Sequence, residues 1–239
     1  TSTQPRPVVK AGRLAPAETP PTIDGKVDES IWDSTDPYST FTQQDPRMGE
    51  PATEKTDVRL LFSQTHVYVS FVCHDADPSS IIMSQARRDA SLADTDSVIL
   101  VFDTFNDNQN AFVFGTNANG AEYDALIADE SESFNSDWRA VWRVAAQRVR
   151  EGWSAEFAIP FRSLRYPASG GAWGFNVYRM QRRRNEETLW SGWSRQDGGF
   201  HRVSRAGVIE GLRDLPRKGL NLEARPFALA GADQDEAGA

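Results

Sequence analysis

The sequence predicts an all-β fold, an antiparallel β-sandwich of jelly-roll-like form with a short helical turn near its N-terminus. Three observations predict it. Apolar and polar residues alternate in several short runs, turn-forming residues separate these runs, and no stretch keeps a helical period over four turns. A chain of 239 residues, 39% of them hydrophobic, is long enough to bury the core of such a sandwich.

The alternating runs predict the individual strands. In residues 57–63, 67–73 and 153–159 every second residue is apolar, the pattern of a strand with one buried and one solvated face. Further strands are predicted at Ser97–Asp103, Ala111–Asn117, Trp142–Val149 and Trp173–Gln181.

The start of the chain differs in composition from the rest. Residues 1–22 contain five prolines, which exclude a helix or a central strand. This leader is predicted either to run extended along the domain or to be partly loose. After it, Asp24-Gly25 signals a turn. Asp28 is then suited to cap a short helical turn that buries Ile31 and Trp32.

The sandwich is predicted to span residues 23–215, and residues 216–239 change character. There Leu220–Ala230 alternates again. This pattern fits a last sandwich strand, and it equally fits a linker that leads into the first strand of a truncated C-terminal membrane barrel.

Charge and composition narrow the range of functions. A net charge of −8 and a pI near 5.0 argue against a nucleic-acid partner, because phosphates require a basic surface. No apolar run is long enough for a membrane helix. Cys73 is the only cysteine and lies inside an apolar run, so it is predicted to be a buried, unreactive thiol. The chain begins at Thr1 rather than Met, which fits a processed or trimmed N-terminus and equally a cloning boundary.

Six segments, taken in order, resemble the family 9 carbohydrate-binding modules over roughly Ile23–Leu212. The segments are Ile23–Trp32, His66–Phe71, Asp94–Val98, Asn110–Phe114, Gly152–Phe161 and Trp173–Asn176. The resemblance implies a non-catalytic sandwich, no enzyme activity, a glycan or small sugar as partner, and structural calcium. Consistent with this, the chain lacks a nucleophile elbow, a phosphate loop and a dinucleotide fingerprint.

Arg87–Asp89, Asp103-Thr104 and the C-terminal alternation resemble more closely a subgroup of these modules that precedes an outer-membrane β-barrel of unknown function. The likeness to this subgroup implies a secreted protein, periplasmic or outer-membrane-associated. It also implies a second partner, the chain's own C-terminal barrel.

One departure from the family pattern bears on sugar binding. In the sugar-binding members a Trp precedes an Asp-Ser-Val-Glu run, and its Glu holds the sugar hydroxyls. Here the run ends in Ile99, and no Trp lies between Trp32 and Trp138. Two hypotheses follow: other residues bind a glycan, or the domain has lost the sugar site and serves as a structural or interaction domain attached to the barrel.

Carbohydrate recognition needs aromatic faces for the ring and polar groups for its hydroxyls. The sequence offers these groups in two places, near Asp137 and between Trp190 and Asp197. The candidate ligand-binding residues are Trp138, Trp190, Trp193, Arg195 and Gln196. The alternative for each Trp is a place in the core.

The loop Asp103–Asn110 carries many side-chain oxygens, the ligands that calcium prefers. Asp103, Asp107 and Asn110 are the candidate metal ligands, and a solvated polar turn is the alternative. The three histidines lack the spacing of a zinc site.

Overall fold

The computed structural model describes residues 6–84, 86–167 and 170–216. In these residues the chain consists of strands, short 3-10 turns and loops, which confirms the all-β fold class. Within the same ranges no helix has the length and apolar character needed to cross a membrane. The alternating segment Leu220–Ala230 lies outside the described residues.

Fourteen strands form within the described part of the chain. They are β1 (Val8–Lys10), β2 (Gly12–Arg13), β3 (Thr42–Asp45), β4 (Thr56–Phe62), β5 (His66–His74), β6 (Ser97–Asp103), β7 (Ala111–Asn117), β8 (Tyr123–Ala128), β9 (Ser133–Asn135), β10 (Arg143–Val149), β11 (Gly152–Pro160), β12 (Trp173–Gln181), β13 (Glu186–Leu189) and β14 (Gly207–Glu210). The 3-10 turns span Ser30–Ser34, Pro78–Ser80, Asp129–Ser131, Phe161–Ser163, Arg182–Arg184, Arg195–Asp197, Gly199–His201 and Val203–Arg205.

The strands form two sheets. The larger sheet has the order β1-β14-β12-β6-β7-β8-β9, with β13 paired to β12 and β3 paired to β13. The smaller sheet has the order β10-β11-β5-β4-β2. The Pro-rich leader contributes one edge strand to each sheet, because β1 pairs with β14 and β2 with β4, both in parallel. Edge positions tolerate proline, since one side of an edge strand makes no ladder bonds.

The main core lies between the two sheets and is strongly aromatic. Trp153 and Trp173 are at most 1% exposed, as expected for core residues, and the predicted strand residue Trp142 stacks on Phe157 with ring centroids 5.6 Å apart. Cys73 is fully buried in this core, and burial raises the pKa of its thiol to about 12. The thiol is therefore protonated and unreactive at neutral pH.

The prediction of one solvated face is wrong for residues 153–159, which belong to β11. β6, β11 and β12 are buried along their whole length. The reason is that connecting segments cross both outer faces and bring apolar side chains onto them. On the larger sheet, apolar side chains of the strands and of the covering segments together form an outer cluster: Leu92, Ile99, Val101, Ala111, Val113, Ala125, Ile127, Tyr178, Met180, Leu189 and Val203.

On the smaller sheet the outer face is covered by the segment Ile23–Ser34, which we call the N-terminal cap. The predicted helical turn is the 3-10 turn Ser30–Ser34 within it, and its Trp32 is buried against Leu61 and Tyr68. The turn begins one residue later than predicted, with Glu29 rather than Asp28 at the capping position, and that side chain makes no capping bond.

A single buried carboxylate fastens the N-terminal cap to β11. The Glu156 side chain accepts hydrogen bonds from the Trp32 indole Nε1 at 2.9 Å, the Gly25 N–H at 3.0 Å and the Asp24 N–H at 3.2 Å. Burial, and next the charge of Glu29, raise the pKa of Glu156 to about 7.

Candidate functional site

The structure places the two tryptophans of the Trp190–Asp197 segment on different faces of the larger sheet. Trp190 packs into the main core, where its ring centroid lies 5.6 Å from that of Phe175. Trp193 packs on the outer cluster, and its ring covers Gly49 so closely that a Cβ there would lie 3.1 Å away. Trp190 and Trp193 therefore do not form one aromatic clamp.

Trp138 lies away from both. It is half-buried in the loop before β10 and packs on Phe112 and Phe114 of β7, with ring centroids 5.4 and 6.1 Å apart. The five candidate ligand-binding residues are thus divided among separate places. Only Trp193, Arg195 and Gln196 share a corner of the outer face.

At this corner a cavity of about 310 Å³ opens beside the outer cluster. We call it the corner cavity. It is lined by Gln44, Asp45, Tyr178, Glu187, Arg195, Gly198, Gly199, Phe200 and His201. Of the five candidate residues, Arg195 lines the corner cavity. Trp193 and Gln196 are close to Arg195 in the sequence but do not line the cavity.

The strand pair β3–β13 forms one wall of the corner cavity. Its register shifts between Glu187 and Thr188, and Gln44 is the extra residue on β3. Bulges of this kind redirect side chains and are common beside binding sites. The opposite wall is the loop after Ser194, in which Gly198 and Gly199 have positive φ angles of 80° and 69°. Glycine adopts this conformation without steric cost, so the two glycines allow the tight double turn that brings Phe200 and His201 to the cavity.

Two carboxylates face each other in the corner cavity, because Asp45 is the cross-strand partner of Glu187. The Arg195 guanidinium forms an ion pair with Asp45 and donates to the Pro46 carbonyl at 3.2 Å. The Tyr178 phenol lies beside Glu187 and interacts with its carboxylate. Burial, followed by the charge of Asp45, raises the pKa of Glu187, while burial lowers the pKa of the His201 imidazole, which is therefore neutral at pH 7.

Sequence reasoning did not find Asp45, Tyr178 or Glu187. β3 and β13 are only four residues long and lie far apart in the chain, so no local pattern connects them. Tyr178 belonged to a predicted strand, but the alternation alone does not say that its outward side borders a cavity. The one available signal was the composition around the Arg182–Arg184 turn, with aromatic residues before it and Glu186-Glu187 after it.

The position of Ile99 explains why the corner cavity lies where it does. Ile99 is 4% exposed, and its cross-strand neighbours are Tyr178 and Gly115. Leu92 closes over this point, since a Cβ on Gly115 would lie 2.7 Å from its Cδ1 atom. The surface that the family resemblance assigns to the sugar-holding Glu is therefore apolar and covered. The corner cavity begins one strand further along, at Tyr178.

Two other cavities lack aromatic walls. One of about 290 Å³ lies on the smaller sheet and is lined by Lys26, Val27, Asp28, Val72, Gln147, Val149, Glu151 and Ser154. One of about 750 Å³ is lined by Lys10, Ala11, Gly170, Gly171, Ala172, Glu210, Gly211, Leu212, Arg213 and Asp214. Neither has a ring on which a pyranose could stack.

The loop predicted to hold calcium is closed by its own hydrogen bonds. Asp103 is buried and accepts from the N–H groups of Asp107 at 3.1 Å and Asn108 at 2.8 Å. Asp107 accepts from the Asn110 N–H at 2.8 Å and from its side-chain amide at 2.9 Å. Across the described residues, no group of three or more His, Cys, Asp or Glu side chains is arranged to hold a metal ion. Calcium on this loop stays a prediction.

Comparison with solved structures supports the fold. The chain is similar to a family 9 carbohydrate binding module from Caldicellulosiruptor kristjanssonii, solved in complex with cellotriose (TM-score 0.58, 14% identity, 92% of this chain and 100% of that chain covered). The same kind of module, solved with glucose, gives a TM-score of 0.59 at 16% identity over 91% of this chain and 100% of that chain.

A putative carbohydrate-binding protein from Bacteroides uniformis ATCC 8492 gives a TM-score of 0.64 at 14% identity over 84% of this chain and 97% of that chain. None of the curated proteins matches. The profile of the "Carbohydrate family 9 binding domain-like" family matches residues 23–210, most of the chain and nearly the whole sandwich. The chain therefore belongs to the carbohydrate family 9 binding domain-like family.

Proposed function

We propose that this domain is a non-catalytic carbohydrate-binding module and that the sugar binds in the corner cavity. The observation that carries the proposal is the combination of two aromatic side chains, Tyr178 and Phe200, with Asp45, Glu187 and Arg195 in one cavity. Small-ligand sites in proteins pair apolar or aromatic walls with a few convergent polar groups.

The size and chemistry of the corner cavity suit a single sugar ring. Its volume of about 310 Å³ is at the lower end of the ~300–1,000 Å³ typical of small-ligand sites. The carboxylates of Asp45 and Glu187 accept hydrogen bonds from hydroxyls, and the half-exposed Arg195 guanidinium donates to them. The solved modules similar to this chain hold glucose and cellotriose, which makes these the first ligands to test.

Titration of the protein with glucose and cellotriose, followed by calorimetry and Trp fluorescence, tests the proposal. Arg195→Ala should weaken binding about tenfold, because it removes a charge-assisted hydrogen-bond donor. Arg143→Ala, an exposed arginine on β10 of the other sheet, is the matched control and should bind as the wild type does. No binding by any sugar of a broad panel at millimolar concentration would contradict the proposal.

A second candidate function is supported by the burial of Ile99. A domain that covers the family's sugar-holding surface with apolar side chains is suited to serve as a structural unit attached to its own C-terminal barrel. In this case the protein is exported and outer-membrane-associated. Cross-linking of the full-length protein in intact outer membranes should then join the sandwich to the barrel, and the sugar panel should show no binding.

We further propose that structural calcium binds the loop Asp103–Asn110, with Asp103, Asp107 and the amide oxygen of Asn110 as protein ligands. Support comes from the oxygen-rich loop and from the family resemblance. A calcium chelator should lower the midpoint of thermal unfolding, excess calcium should restore it, and Asp107→Asn should abolish the difference. An unchanged midpoint in the wild type would refute calcium binding.

A further inference from the structure

The fixed charges of the corner cavity do not balance. Asp45 and Glu187 are directly opposed across β3 and β13, and like charges in this position destabilise a strand pair. Arg195 pairs with Asp45. Glu187 is half-buried and lies beside the uncharged Tyr178 phenol. In the part of the chain that the structure describes, no Lys, Arg or His forms a salt bridge with Glu187.

Arg195 also attracts Glu187, but it lies beyond ion-pair distance and already pairs with Asp45, so one guanidinium serves two carboxylates. The remaining titratable groups that face Glu187 carry no positive charge. Tyr178 on β12 is 7% exposed, and burial raises the pKa of its phenol, so it stays neutral. His201 on the loop is neutral at pH 7, because burial lowers the pKa of its imidazole. When both carboxylates are ionised, the one guanidinium leaves one net negative charge in the corner cavity. The whole chain, with a net charge of −8, adds to the negative potential there.

We propose, on the basis of the function proposed above, that the preferred ligand is an amino sugar of the glucosamine type, whose ammonium group pairs with Glu187 and Asp45. A hexose with a protonated amine supplies the missing positive charge, while its ring packs beside Phe200, which covers the Tyr178 ring with ring centroids 5.2 Å apart. Charge-assisted hydrogen bonds to a partly buried carboxylate are stronger than neutral ones, so the amine discriminates among sugars of the same size.

Glucosamine, N-acetylglucosamine, glucose and methylammonium chloride are titrated separately into the full-length protein at pH 7. Glucosamine should bind about tenfold more tightly than glucose and N-acetylglucosamine, and the difference should shrink as salt is added. Glu187→Gln, which keeps shape and removes charge, should abolish this preference, and Asp45→Asn should reduce it. The thermal midpoint of each variant confirms that it is folded.

Glu151→Gln is the matched control, since Glu151 lines the cavity of the smaller sheet. It should leave the preference intact, and loss of the preference in this variant would overturn the assignment to the corner cavity. Equal binding of glucosamine and glucose would overturn the amino-sugar inference and leave the proposed function standing. Methylammonium binding as tight as glucosamine binding would also overturn it. Absence of binding by every sugar would defeat the proposed function itself.

Discussion

Replacing Glu156 with alanine is expected to lower the free energy of unfolding by about 3 kcal/mol or more. The substitution leaves the Trp32 indole N–H and the backbone N–H groups of Asp24 and Gly25 without their acceptor. Each unsatisfied buried donor costs roughly 1–3 kcal/mol, and loosening of the N-terminal cap exposes apolar surface in addition. Urea unfolding of the variant and the wild type measures the difference.

Glu156→Gln is the control for the alanine variant, because it keeps an acceptor oxygen at nearly the same place. It should be much more stable than Glu156→Ala at pH 7. Hydrogen exchange of the Trp32 indole shows whether the N-terminal cap opens locally. A loss below about 1 kcal/mol in Glu156→Ala would mean that water replaces the carboxylate and that the N-terminal cap is held by packing alone.

The raised pKa of Glu156 predicts that the free energy of unfolding depends on pH. The folded-state pKa of Glu156 is about 7, above the ordinary value of 4.5, so the folded protein binds this proton more tightly than the unfolded chain does. The free energy of unfolding should therefore fall as pH rises from about 4.5 to about 7 and level off above it. Glu156→Gln should remove this part of the slope, and unfolding curves of both proteins across that range test it. Identical slopes would show that the pKa is not raised.

Gly152→Ala is expected to be among the most damaging single substitutions. Gly152 has φ +150° at the start of β11 and pairs with Val149 and His74. A Cβ atom there would lie 2.0 Å from the Cys73 carbonyl oxygen, which belongs to the backbone and cannot move without breaking the β5–β11 ladder. We expect a loss of at least about 3 kcal/mol, or no folded protein at all.

Gly171→Ala is the matched control for this prediction. Gly171 has a similar φ of +141°, but no atom lies within 4 Å of an added Cβ. It should therefore show the backbone strain alone, about 1 kcal/mol. Denaturant unfolding of the two variants separates the steric clash with the Cys73 carbonyl from the strain of the backbone conformation. Equal losses of unfolding free energy in the two variants would mean that the Cys73 carbonyl moves aside at little cost.

The outer face of the larger sheet differs sharply between Ile99 and the corner cavity. Ile99 lies on β6, Tyr178 on β12 and Glu187 on β13, and these strands pair in this order. Ile99 and Glu187 are therefore only two strands apart. Leu92 covers Ile99 with an apolar side chain. Tyr178 therefore lies at the boundary between the outer cluster and the corner cavity. This boundary is why Tyr178 can pack in the outer cluster and still line the corner cavity.

The sequence by itself determined the sandwich and the bounds of its central strands, as at Trp173–Gln181, because period-2 alternation is a local property of the chain. It also determined that Trp32 and Cys73 are buried. It could not show that β6, β11 and β12 are buried on both faces, since the covering segments come from distant parts of the chain.

Only the tertiary structure decided which candidate residues meet. It separated Trp190 from Trp193, left Trp138 against β7, and brought Arg195 to Asp45 across 150 positions. It also opposed Glu187 to Asp45 through a four-residue strand pair with a bulge. The physical reason is that alternation specifies which face of a strand is apolar. The partner strand, the register and the segment that crosses above are set by long-range packing.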